Sequence, residues 1–460
     1  MKRQSKFKMK IDQLLSDSLK FQPKKTENTT PKVIVLSLDS LSAEDWSTLK
    51  QHPNFNKLIS NGCYSKEVSS VYPSLTYPAH ASVLTGKLPR KHGIVSNTKL
   101  QPTRNSPDWH WYHKEIHGKT LLTQAKKANL TVASILWPVT AGAPIAYNMP
   151  EIFPNRPWQN QISVSLMAGR KRYQILMNER HGHLRKGLEQ PFLDDYAHAC
   201  ALDTLKSYEP DLLLVHYTDL DTQKHHNGIN STAQKDAIKR LDQRIGDYFK
   251  LIKQMGWEEN TSLIIFGDHG SKDVHTAIRP NVILQKEGFL SVEENGKLHH
   301  CDYIFKSCDG SAYLYHDNLH RVSRSILRKE LEIIERALER HNDEFKGIKR
   351  ILTGSEAGFE GADSHALLMI EAEEGFYFLE DYTGAAIETV PEELVGTEHW
   401  LKATHGYHPE TRQYQSVCFG FGNQIKKEAL GALELIDLGP SIAHLLGINL
   451  GDTDGKILWP

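Results

Sequence analysis

The chain has 460 residues, more than a single hydrophobic core usually holds, so we expect one large domain with an insert or two domains. Hydrophobic residues make up 39% and charged residues 24% of the chain, and the formal net charge is -1. This near-neutral balance excludes a general electrostatic attraction to nucleic acid or to an anionic membrane. A phosphate group would therefore need a local binding site.

The first 31 residues are rich in lysine but contain no continuous apolar run of the kind that a signal peptide needs. We interpret residues 1–31 as a basic extension, with an amphipathic helix at 9–19 and a polar linker after it. No run of about 18 apolar residues occurs elsewhere, so we predict no membrane span. An odd number of cysteines without a CxxC pair is typical of a reduced protein, and we predict a cytoplasmic location. The cysteines are Cys63, Cys200, Cys301, Cys308 and Cys418.

Four apolar runs rich in β-branched residues predict buried parallel strands. They lie at 32–38, 131–136, 211–216 and 262–266. Helical patterns at 119–128 and 232–255 alternate with these strands. The alternation predicts an α/β fold, in which helices cover both faces of a mostly parallel central sheet.

The pattern changes at about residue 278, where shorter strands, glycine-containing loops and a charged helix at 321–342 begin. We predict an inserted α+β cap at 278–402 and a core domain formed by residues 32–277 and 403–460. A final helix at 435–446 is expected to return to the sheet of that core domain.

Two pairs of residues have the side chains and the spacing of metal ligands. Asp268 and His269 follow the strand at 262–266 and precede Gly270, which lets the chain turn so that both side chains face one ion. Asp221 and His225 are four residues apart, a spacing that places two side chains on one face of a helix.

Two further candidates are weaker when taken singly. Asp39 ends the first strand, where an aspartate fits a helix N-cap as well as a metal ligand. His405 lies in a glycine-containing turn, where a solvated histidine is equally compatible with the sequence.

Thr76 is the candidate nucleophile. It lies in a proline-containing segment, residues 71–80, before a helical run at 81–85, so we expect it near a helix N-terminus that favours phosphate. A hydroxyl group needs help to attack phosphorus, and a coordinated metal ion supplies that help by favouring the alkoxide. The same position also fits a helix N-cap.

In chain order, these segments carry Asp39, Thr76, Asp221-x-x-x-His225, Asp268-His269-Gly and His405-Gly. This order resembles the alkaline phosphatase superfamily and, within it, the nucleotide pyrophosphatase/phosphodiesterase branch. The resemblance covers residues 33 to 450 and includes the closing helix. It implies an alkaline phosphatase-like fold and a hydrolase of phosphodiester or nucleotide pyrophosphate bonds.

The resemblance further implies two divalent metal ions, with zinc expected and manganese or iron also compatible with these ligands. Asn97 would donate a hydrogen bond to a non-bridging phosphoryl oxygen. Attack by Thr76 would form a phospho-threonine-type adduct, which water then hydrolyses. The implied ligands are Asp39, Asp268, His269 and the Thr76 oxygen for one ion, and Asp221, His225 and His405 for the other.

One position departs from the branch, because Ala79 stands where its members usually carry asparagine. A phosphomonoesterase of the same superfamily stays open, with Arg170, Lys171 and Arg172 as extra cations for a dianionic phosphate. A phosphonate hydrolase like phosphonoacetate hydrolase, a phosphoglycerate mutase-like isomerase and a non-catalytic phosphate-ester-binding protein are further alternatives.

We expect the partner of the site to be a small phosphate ester, with nucleotides among the candidates, and no stable complex with nucleic acid. Aromatic side chains between residues 137 and 158 are candidates for stacking on a nucleobase. They are Trp137, Tyr147, Phe153 and Trp158.

Overall fold

A computed structural model of the chain describes residues 31–104, 106–317, 319–397 and 400–460, so the helix predicted at 9–19 lies outside the described residues. The strands are β1 (Lys32–Leu38), β2 (Cys63–Ser69), β3 (Val132–Ile135), β4 (Tyr147–Met149), β5 (Leu212–Tyr217), β6 (Thr261–Phe266), β7 (Lys272–Asp273), β8 (Thr276–Ile278), β9 (Leu290–Val292), β10 (Leu298–Cys301), β11 (Tyr303–Cys308), β12 (Ser311–His316), β13 (Ile348–Thr353), β14 (Leu368–Ala372), β15 (Phe376–Phe378), β16 (Ile387–Thr389), β17 (Ala403–Thr404), β18 (Ser416–Phe421) and β19 (Leu433–Glu434).

The helices are α1 (Trp46–Leu49), α2 (Pro53–Asn61), α3 (Thr76–Thr85), α4 (Pro89–His92), α5 (Leu121–Lys127), α6 (Gln161–Ala168), α7 (Lys171–His181), α8 (Phe192–Tyr208), α9 (Asp219–Asn227), α10 (Thr232–Gln254), α11 (Pro280–Lys286), α12 (Arg324–Phe345), α13 (Gly354–Phe359) and α14 (Leu438–Leu445). Short 3-10 turns stand at Ala43–Asp45, His113–Glu115, Gly182–Leu184, Leu319–Arg321, Glu392–Leu394 and Leu435–Asp437. None of the helices in the described part of the chain combines the length and the apolar character that crossing a membrane requires.

An eight-stranded sheet contains the predicted parallel strands. Strands β6, β1, β5, β3 and β4 are neighbours and run parallel, whereas β18 is antiparallel to both of its neighbours. The mostly parallel α/β fold predicted from the sequence is confirmed. The order across the sheet is β19, β2, β18, β6, β1, β5, β3 and β4.

Successive residues of β1 point into two different hydrophobic cores. Val33 and Val35 pack with residues of α3, α5 and α14, whereas Ile34, Leu36 and Leu38 pack with residues of α2, α8 and α10. A strand that is buried on both faces is apolar at successive positions, which explains the continuous run in the sequence. Because helices cover both faces, polar functional groups collect at the carboxyl edge of the sheet.

Smaller sheets occupy much of the region between residues 276 and 389. Strands β11, β12, β14 and β13 form an antiparallel sheet, and β15, β8 and β16 form a mixed sheet, in which β8 runs parallel to β15 and antiparallel to β16. Both contribute to a third hydrophobic core, which also includes Tyr407 and Tyr414 from beyond the predicted cap. The division into a core at 32–277 and 403–460 and a cap at 278–402 stays a prediction.

Helix α3 begins earlier than the sequence predicts. The helical run was expected at 81–85, but the helix starts at Thr76, and Leu75 with extended backbone angles is its N-cap residue. Pro78 therefore lies in the first turn, where the missing N–H has no helical partner to lose. The early start places the hydroxyl of Thr76 at the N-terminus of the helix.

Candidate active site

The carboxyl ends of β1 and β6 bring together three of the predicted ligands. Asp39 directly follows β1, and Asp268 and His269 follow β6 after Gly267. His269 Nε2 lies 3.4 Å from Asp39 Oδ1 and 3.4 Å from Asp268 Oδ2. A Cβ on Gly267 would lie 1.8 Å from the carbonyl oxygen of Leu41, so glycine is required for this close approach of the two strand ends.

Helix α9 and the segment after β17 bring together the other predicted ligands. Asp221 and His225 are one turn apart on α9, with 3.0 Å between His225 Nε2 and Asp221 Oδ2. His225 Nδ1 donates a hydrogen bond of 2.8 Å to the carbonyl of Ala403, which orients the ring. The ring of His405 lies 5.1 Å from that of His225 and 4.1 Å from that of His269, measured between centroids.

Among the described residues, the potential ligand atoms form three sets, within each of which they lie no more than 4.8 Å apart. Asp221 belongs to two of the sets and therefore stands between the two predicted ion positions. The assignment of Asp268 to the first ion stays a prediction that its contact with His269 supports. The sets are Asp221, His225 and His405; Asp39, Asp221 and His269; and His80, His216 and Asp268.

Three buried carboxylate oxygens at this edge have no hydrogen-bond partner within the part of the chain that the structure describes: Asp39 Oδ1, Asp221 Oδ1 and Asp268 Oδ2. An unsatisfied buried acceptor costs about 1–3 kcal/mol, and more when it is charged. All three atoms belong to predicted metal ligands, and bound cations would satisfy them. The residues present therefore fit a site for divalent metal ions.

The carboxylates crowd one another in the absence of cations. Burial, together with the charges of Asp268 and Asp221, holds the pKa of Asp39 well above its ordinary range. Burial also raises the pKa of Asp268, to about 6. Burial would raise the pKa of Asp221 as well, but the imidazole of His225 lowers it below its ordinary value. This convergence of three acids favours the binding of cations.

The imidazole rings are prepared for metal binding in different ways. Burial lowers the pKa of His269 to about 4 and that of His405 to about 4, so both rings are neutral at pH 7. Burial would lower the pKa of His225, but Asp221 raises it to about 9. His269 Nδ1 donates to the carbonyl of Gly270 at 3.2 Å, which leaves the Nε2 lone pair facing Asp39 and Asp268.

The candidate nucleophile and Asn97 meet at the N-terminus of α3. Thr76 Oγ1 lies 3.2 Å from His269 Nε2. Asn97 Oδ1 accepts a hydrogen bond of 2.9 Å from the backbone N–H of Tyr77, the residue that follows Thr76. Because the amide oxygen is occupied, the amide nitrogen of Asn97 is left to donate beside the nucleophile. A helix N-terminus also favours an anion at this position.

His216 and Glu151 also belong to the site and were not predicted from the sequence. His216 Nε2 lies 3.1 Å from Asp39 Oδ2, and its Nδ1 lies 3.3 Å from Glu151 Oε2. Glu151 Oε1 in turn accepts a hydrogen bond of 2.9 Å from the hydroxyl of Tyr77. His216 pairs with Ser37 near the ends of two neighbouring strands, so its place beside Asp39 was predictable from the end of its apolar strand.

Lys224 was also missed, because it lies between two predicted ligands on α9. Its Nζ donates to the carbonyl of Ser40 at 2.6 Å and to Asp45 Oδ2 at 2.9 Å. The backbone N–H of Ser40, a residue with φ of 64°, donates to Asp268 Oδ1 at 3.0 Å. Lys224 therefore supports the turn that orients a predicted ligand.

The aromatic residues predicted near a nucleobase are mostly committed to packing. Trp137 is fully buried, and the ring of Tyr147 stacks on Tyr208 with 4.2 Å between centroids. Trp137 is therefore inaccessible to a nucleobase, and Tyr208 covers one face of the half-buried Tyr147 ring. Phe153 lines a cavity, and Trp158 is 79% exposed.

Comparison with known sequences identifies similar proteins. Residues 33–408 match the family model described as Type I phosphodiesterase / nucleotide pyrophosphatase. Ectonucleotide pyrophosphatase/phosphodiesterase family member 3 of Bos taurus is 28% identical over 254 residues, which cover 52% of this chain and 25% of that protein. Family member 5 of Homo sapiens is 22% identical over 447 residues, which cover 92% of this chain and 76% of that protein. The match thus spans about a quarter of the first relative's length.

Solved structures show a similar fold. Murine ectonucleotide pyrophosphatase/phosphodiesterase 5, in an inactive form in complex with AMP, superposes with a TM-score of 0.63 at 18% identity, covering 93% of this chain and 97% of that chain. Human ectonucleotide pyrophosphatase/phosphodiesterase 5 superposes with a TM-score of 0.62 at 19% identity, covering 92% of this chain and 97% of that chain. At these identities the likeness concerns the fold.

Proposed function

Because the chain belongs to the type I phosphodiesterase/nucleotide pyrophosphatase family, we propose that it is a metal-dependent hydrolase of phosphodiester or nucleotide pyrophosphate bonds. One observation carries this proposal: carboxylate and imidazole ligand atoms converge at the sheet edge where His269 contacts the hydroxyl of Thr76. Asn97 adds a fixed hydrogen-bond donor at the same helix N-terminus.

The proposed cofactor is a pair of zinc ions, because mixed imidazole and carboxylate ligands suit zinc. When bound, two such ions favour the ionised hydroxyl of the nucleophile and offset charge on the attacking and leaving oxygens. The proposed ligands are Asp39, Asp268, His269 and Thr76 for one ion and Asp221, His225 and His405 for the other.

The protein's own groups bind and orient the phosphoryl group. Thr76 attacks phosphorus from the N-terminus of α3, where the helix dipole favours the negative charge of the phosphate. As the bond between the Thr76 oxygen and phosphorus forms, the bond between phosphorus and the leaving oxygen breaks, and the released alcohol or phosphate carries away the proton that the hydroxyl gives up. The amide nitrogen of Asn97 donates to a non-bridging oxygen, and its bond to the N–H of Tyr77 fixes it there before the substrate binds. Water then displaces the Thr76 oxygen from phosphorus and regenerates the hydroxyl.

A diester is favoured over a monoester because the three cations considered for a dianionic phosphate make no contact with the proposed metal ligands in the described structure. Arg170, Lys171 and Arg172 are exposed, and Arg170 Nε donates to the carbonyl of Ile145 at 2.8 Å. Within the described residues, no hydrogen bond or ion pair joins these three side chains to a proposed metal ligand. The complex of AMP with the murine relative supports testing nucleotide esters among the diesters.

The proposed function is tested by hydrolysis of three chromogenic esters, with and without a chelator. The substrates are bis-p-nitrophenyl phosphate, p-nitrophenyl phosphate and thymidine 5'-monophosphate p-nitrophenyl ester. We expect a higher kcat/KM for the two diesters than for the monoester, and loss of all activity with the chelator. Preference for the monoester would contradict the assignment as a diesterase.

A further inference from the structure

His216 is a buried histidine beside the candidate active site, but it is not one of the proposed ligands. It lies on β5, is fully buried, and its Nε2 is 3.1 Å from Asp39 Oδ2. An ionised carboxylate only accepts hydrogen bonds, so the Nε2 atom of His216 carries a proton and donates to Asp39. A protonated Nε2 has no lone pair for a metal ion. Through this atom, His216 is therefore a partner of a ligand and not a further ligand.

The two carboxylate oxygens of Asp39 have different surroundings. Oδ2 accepts the hydrogen bond from His216. Oδ1 has no hydrogen-bond partner among the described residues and lies 3.4 Å from His269 Nε2, an atom of another proposed ligand. The bond from His216 thus occupies one oxygen of Asp39 and leaves the other one free on the side of the proposed metal ligands.

A second carboxylate contacts the other nitrogen of the His216 ring. His216 Nδ1 lies 3.3 Å from Glu151 Oε2. The other oxygen of this carboxylate, Glu151 Oε1, accepts a hydrogen bond of 2.9 Å from the hydroxyl of Tyr77. The imidazole is therefore held at both nitrogens, and a rotation of the ring would lose both contacts.

This series of contacts ends at the helix that carries the candidate nucleophile. Tyr77 follows Thr76 as the second residue of α3, and its backbone N–H donates to Asn97 Oδ1 at 2.9 Å. Tyr77, Glu151 and His216 thus connect the N-terminus of α3 to the carboxylate of Asp39. The connection fixes the position of a proposed metal ligand relative to the nucleophile.

Another buried ring packs against His216. The ring of His80 meets it edge-to-face, with 4.4 Å between centroids. His80 is itself fixed, because its Nδ1 donates to the carbonyl of Thr76 at 2.7 Å and its ring contacts Trp137 at 4.8 Å between centroids. Close packing of this kind restricts the rotamers that His216 can adopt.

We propose that His216 and Glu151 are positioning residues of the candidate metal site. They hold Asp39 Oδ2, so that this carboxylate binds a divalent ion through Oδ1 alone. In this role neither side chain contacts the substrate. The role rests on the proposed function, because it concerns the same ions, but metal binding tests it without turnover.

The first measurement is the zinc affinity of metal-free protein, determined by competition with a chromophoric chelator. Wild type is expected to bind two zinc ions. His216→Leu, which has no donor, is expected to bind one of the two ions about 10- to 100-fold more weakly, the usual effect of losing a partner of a metal ligand. His216→Phe, which keeps an aromatic ring without a donor, is the second variant if His216→Leu does not fold.

His216→Gln is the conservative variant, because its amide nitrogen can donate to Asp39 in place of Nε2. We expect its affinity for both ions to stay close to that of wild type. A loss in His216→Gln as large as the loss in His216→Leu would contradict the role of the donated hydrogen bond.

The matched control is Tyr217→Phe, at the next position of β5. Tyr217 packs in the core on the opposite face of the sheet, where its hydroxyl and that of Tyr248 are 2.8 Å apart. The variant loses a buried hydrogen bond from the same strand and leaves the contact with Asp39 unchanged. We expect it to bind both zinc ions like wild type, and an equal loss in Tyr217→Phe and His216→Leu would overturn the proposal.

The part of Glu151 is tested by combining two substitutions. Glu151→Ala is expected to weaken binding of the same ion that His216→Leu affects. Because Glu151 acts through His216, the double variant is expected to bind zinc no more weakly than His216→Leu alone. Independent losses that multiply in the double variant would overturn the joint role of the two residues.

The visible spectrum of protein loaded with cobalt(II) in place of zinc separates positioning from a general loss of stability. When Asp39 is no longer held, both of its oxygens can bind one ion and raise its coordination number, which weakens the visible absorption bands of cobalt. We expect this change in His216→Leu and not in Tyr217→Phe. Wild-type affinities and an unchanged spectrum in His216→Leu would overturn the proposal while the proposed function stands. A wild type that binds no metal would overturn the proposed metal site and this role with it.

Discussion

At the residue scale, Asn97 uses the two ends of its amide for different partners. The oxygen accepts from the N–H of Tyr77, so the nitrogen is the end left to donate to the phosphoryl group in the proposed reaction. We predict that Asn97→Ala and Asn97→Asp both lower kcat for bis-p-nitrophenyl phosphate about 100- to 1,000-fold, the effect of losing one oxyanion donor. The measurement is steady-state kinetics on metal-loaded protein.

The two Asn97 variants control for each other. Asn97→Asp keeps an acceptor for the N–H of Tyr77, so its thermal stability is expected to stay close to that of wild type. A loss of activity confined to Asn97→Asp would indicate charge repulsion, and it would contradict the role of the amide nitrogen.

Several predicted site residues came together because they closely follow β1 or β6, begin α3, or lie on α9, the helix after β5. Asp39 and Asp268 were recognisable because each closely follows an apolar strand. Glu151 was not, because it follows the three-residue strand β4, which has no comparable apolar run. Its role depends on a contact with His216, 65 residues away along the chain, which local spacing does not reveal.

At the scale of elements, a buried ion pair attaches α9 to the segment after β1. The side chain of Lys224 is 1% exposed and that of Asp45 is 0% exposed. We predict that Lys224→Met lowers the free energy of unfolding by about 3–5 kcal/mol, because it leaves the charge of Asp45 buried without its partner. Urea unfolding measures this change.

The control for the ion pair is Lys235→Met on α10, where the lysine side chain is exposed. That variant is expected to change the free energy of unfolding by no more than about 0.5 kcal/mol. Similar stabilities of the two variants would contradict the supporting role of the buried ion pair.

Helices α3 and α4 are joined by a buried histidine. His92 Nδ1 accepts from the N–H of Ile94 at 3.2 Å, so its Nε2 carries the proton and donates to Ser82 Oγ at 2.8 Å. Burial, followed by the neighbouring His117, lowers the pKa of His92 to about 3. In the unfolded chain, His92 has its ordinary pKa of about 6.5. Between about pH 3 and pH 6.5 the unfolded chain therefore binds more protons than the folded chain.

This difference makes stability depend on pH. The contribution of His92 is complete above about pH 6.5 and is lost as the pH falls towards the folded pKa. We predict that the stability difference between wild type and His92→Gln narrows by about 2 kcal/mol from pH 7.5 to pH 5. Urea unfolding at both pH values measures it, and a constant difference would contradict a neutral buried imidazole.

The sequence predicts elements well where both faces are buried. The run at 32–38 coincides with β1. The predicted strand 211–216 differs from β5 by one residue at each end, and the predicted strand 262–266 differs from β6 by one residue at its start. β2 was not predicted, because its Lys66 and Glu67 are exposed and interrupt the apolar pattern. The helix predicted at 435–446 begins as a 3-10 turn and becomes α14 at Leu438.

At the scale of the whole molecule, the α/β class followed from the alternation of strands and helices, but the order of the strands did not. β18 enters the sheet antiparallel between β2 and β6, a long-range pairing that local patterns do not encode. All five cysteines are free thiols. The cytoplasmic location stays a prediction from the sequence.

The central claim is that two divalent ions and the hydroxyl of Thr76 together hydrolyse a phosphodiester. The most direct measurement is a titration of metal-free protein with zinc, in which bound metal and hydrolysis of bis-p-nitrophenyl phosphate are followed for wild type, Thr76→Ala and Thr85→Ala. Thr85 is the control, because its hydroxyl donates to the carbonyl of Ala81 within α3 at 2.8 Å.

We predict that wild type and Thr85→Ala gain activity up to two equivalents of zinc. Thr76→Ala is predicted to bind two equivalents and remain inactive, because only the nucleophile is removed. Full activity of Thr76→Ala, or of the metal-free wild type, would contradict the account.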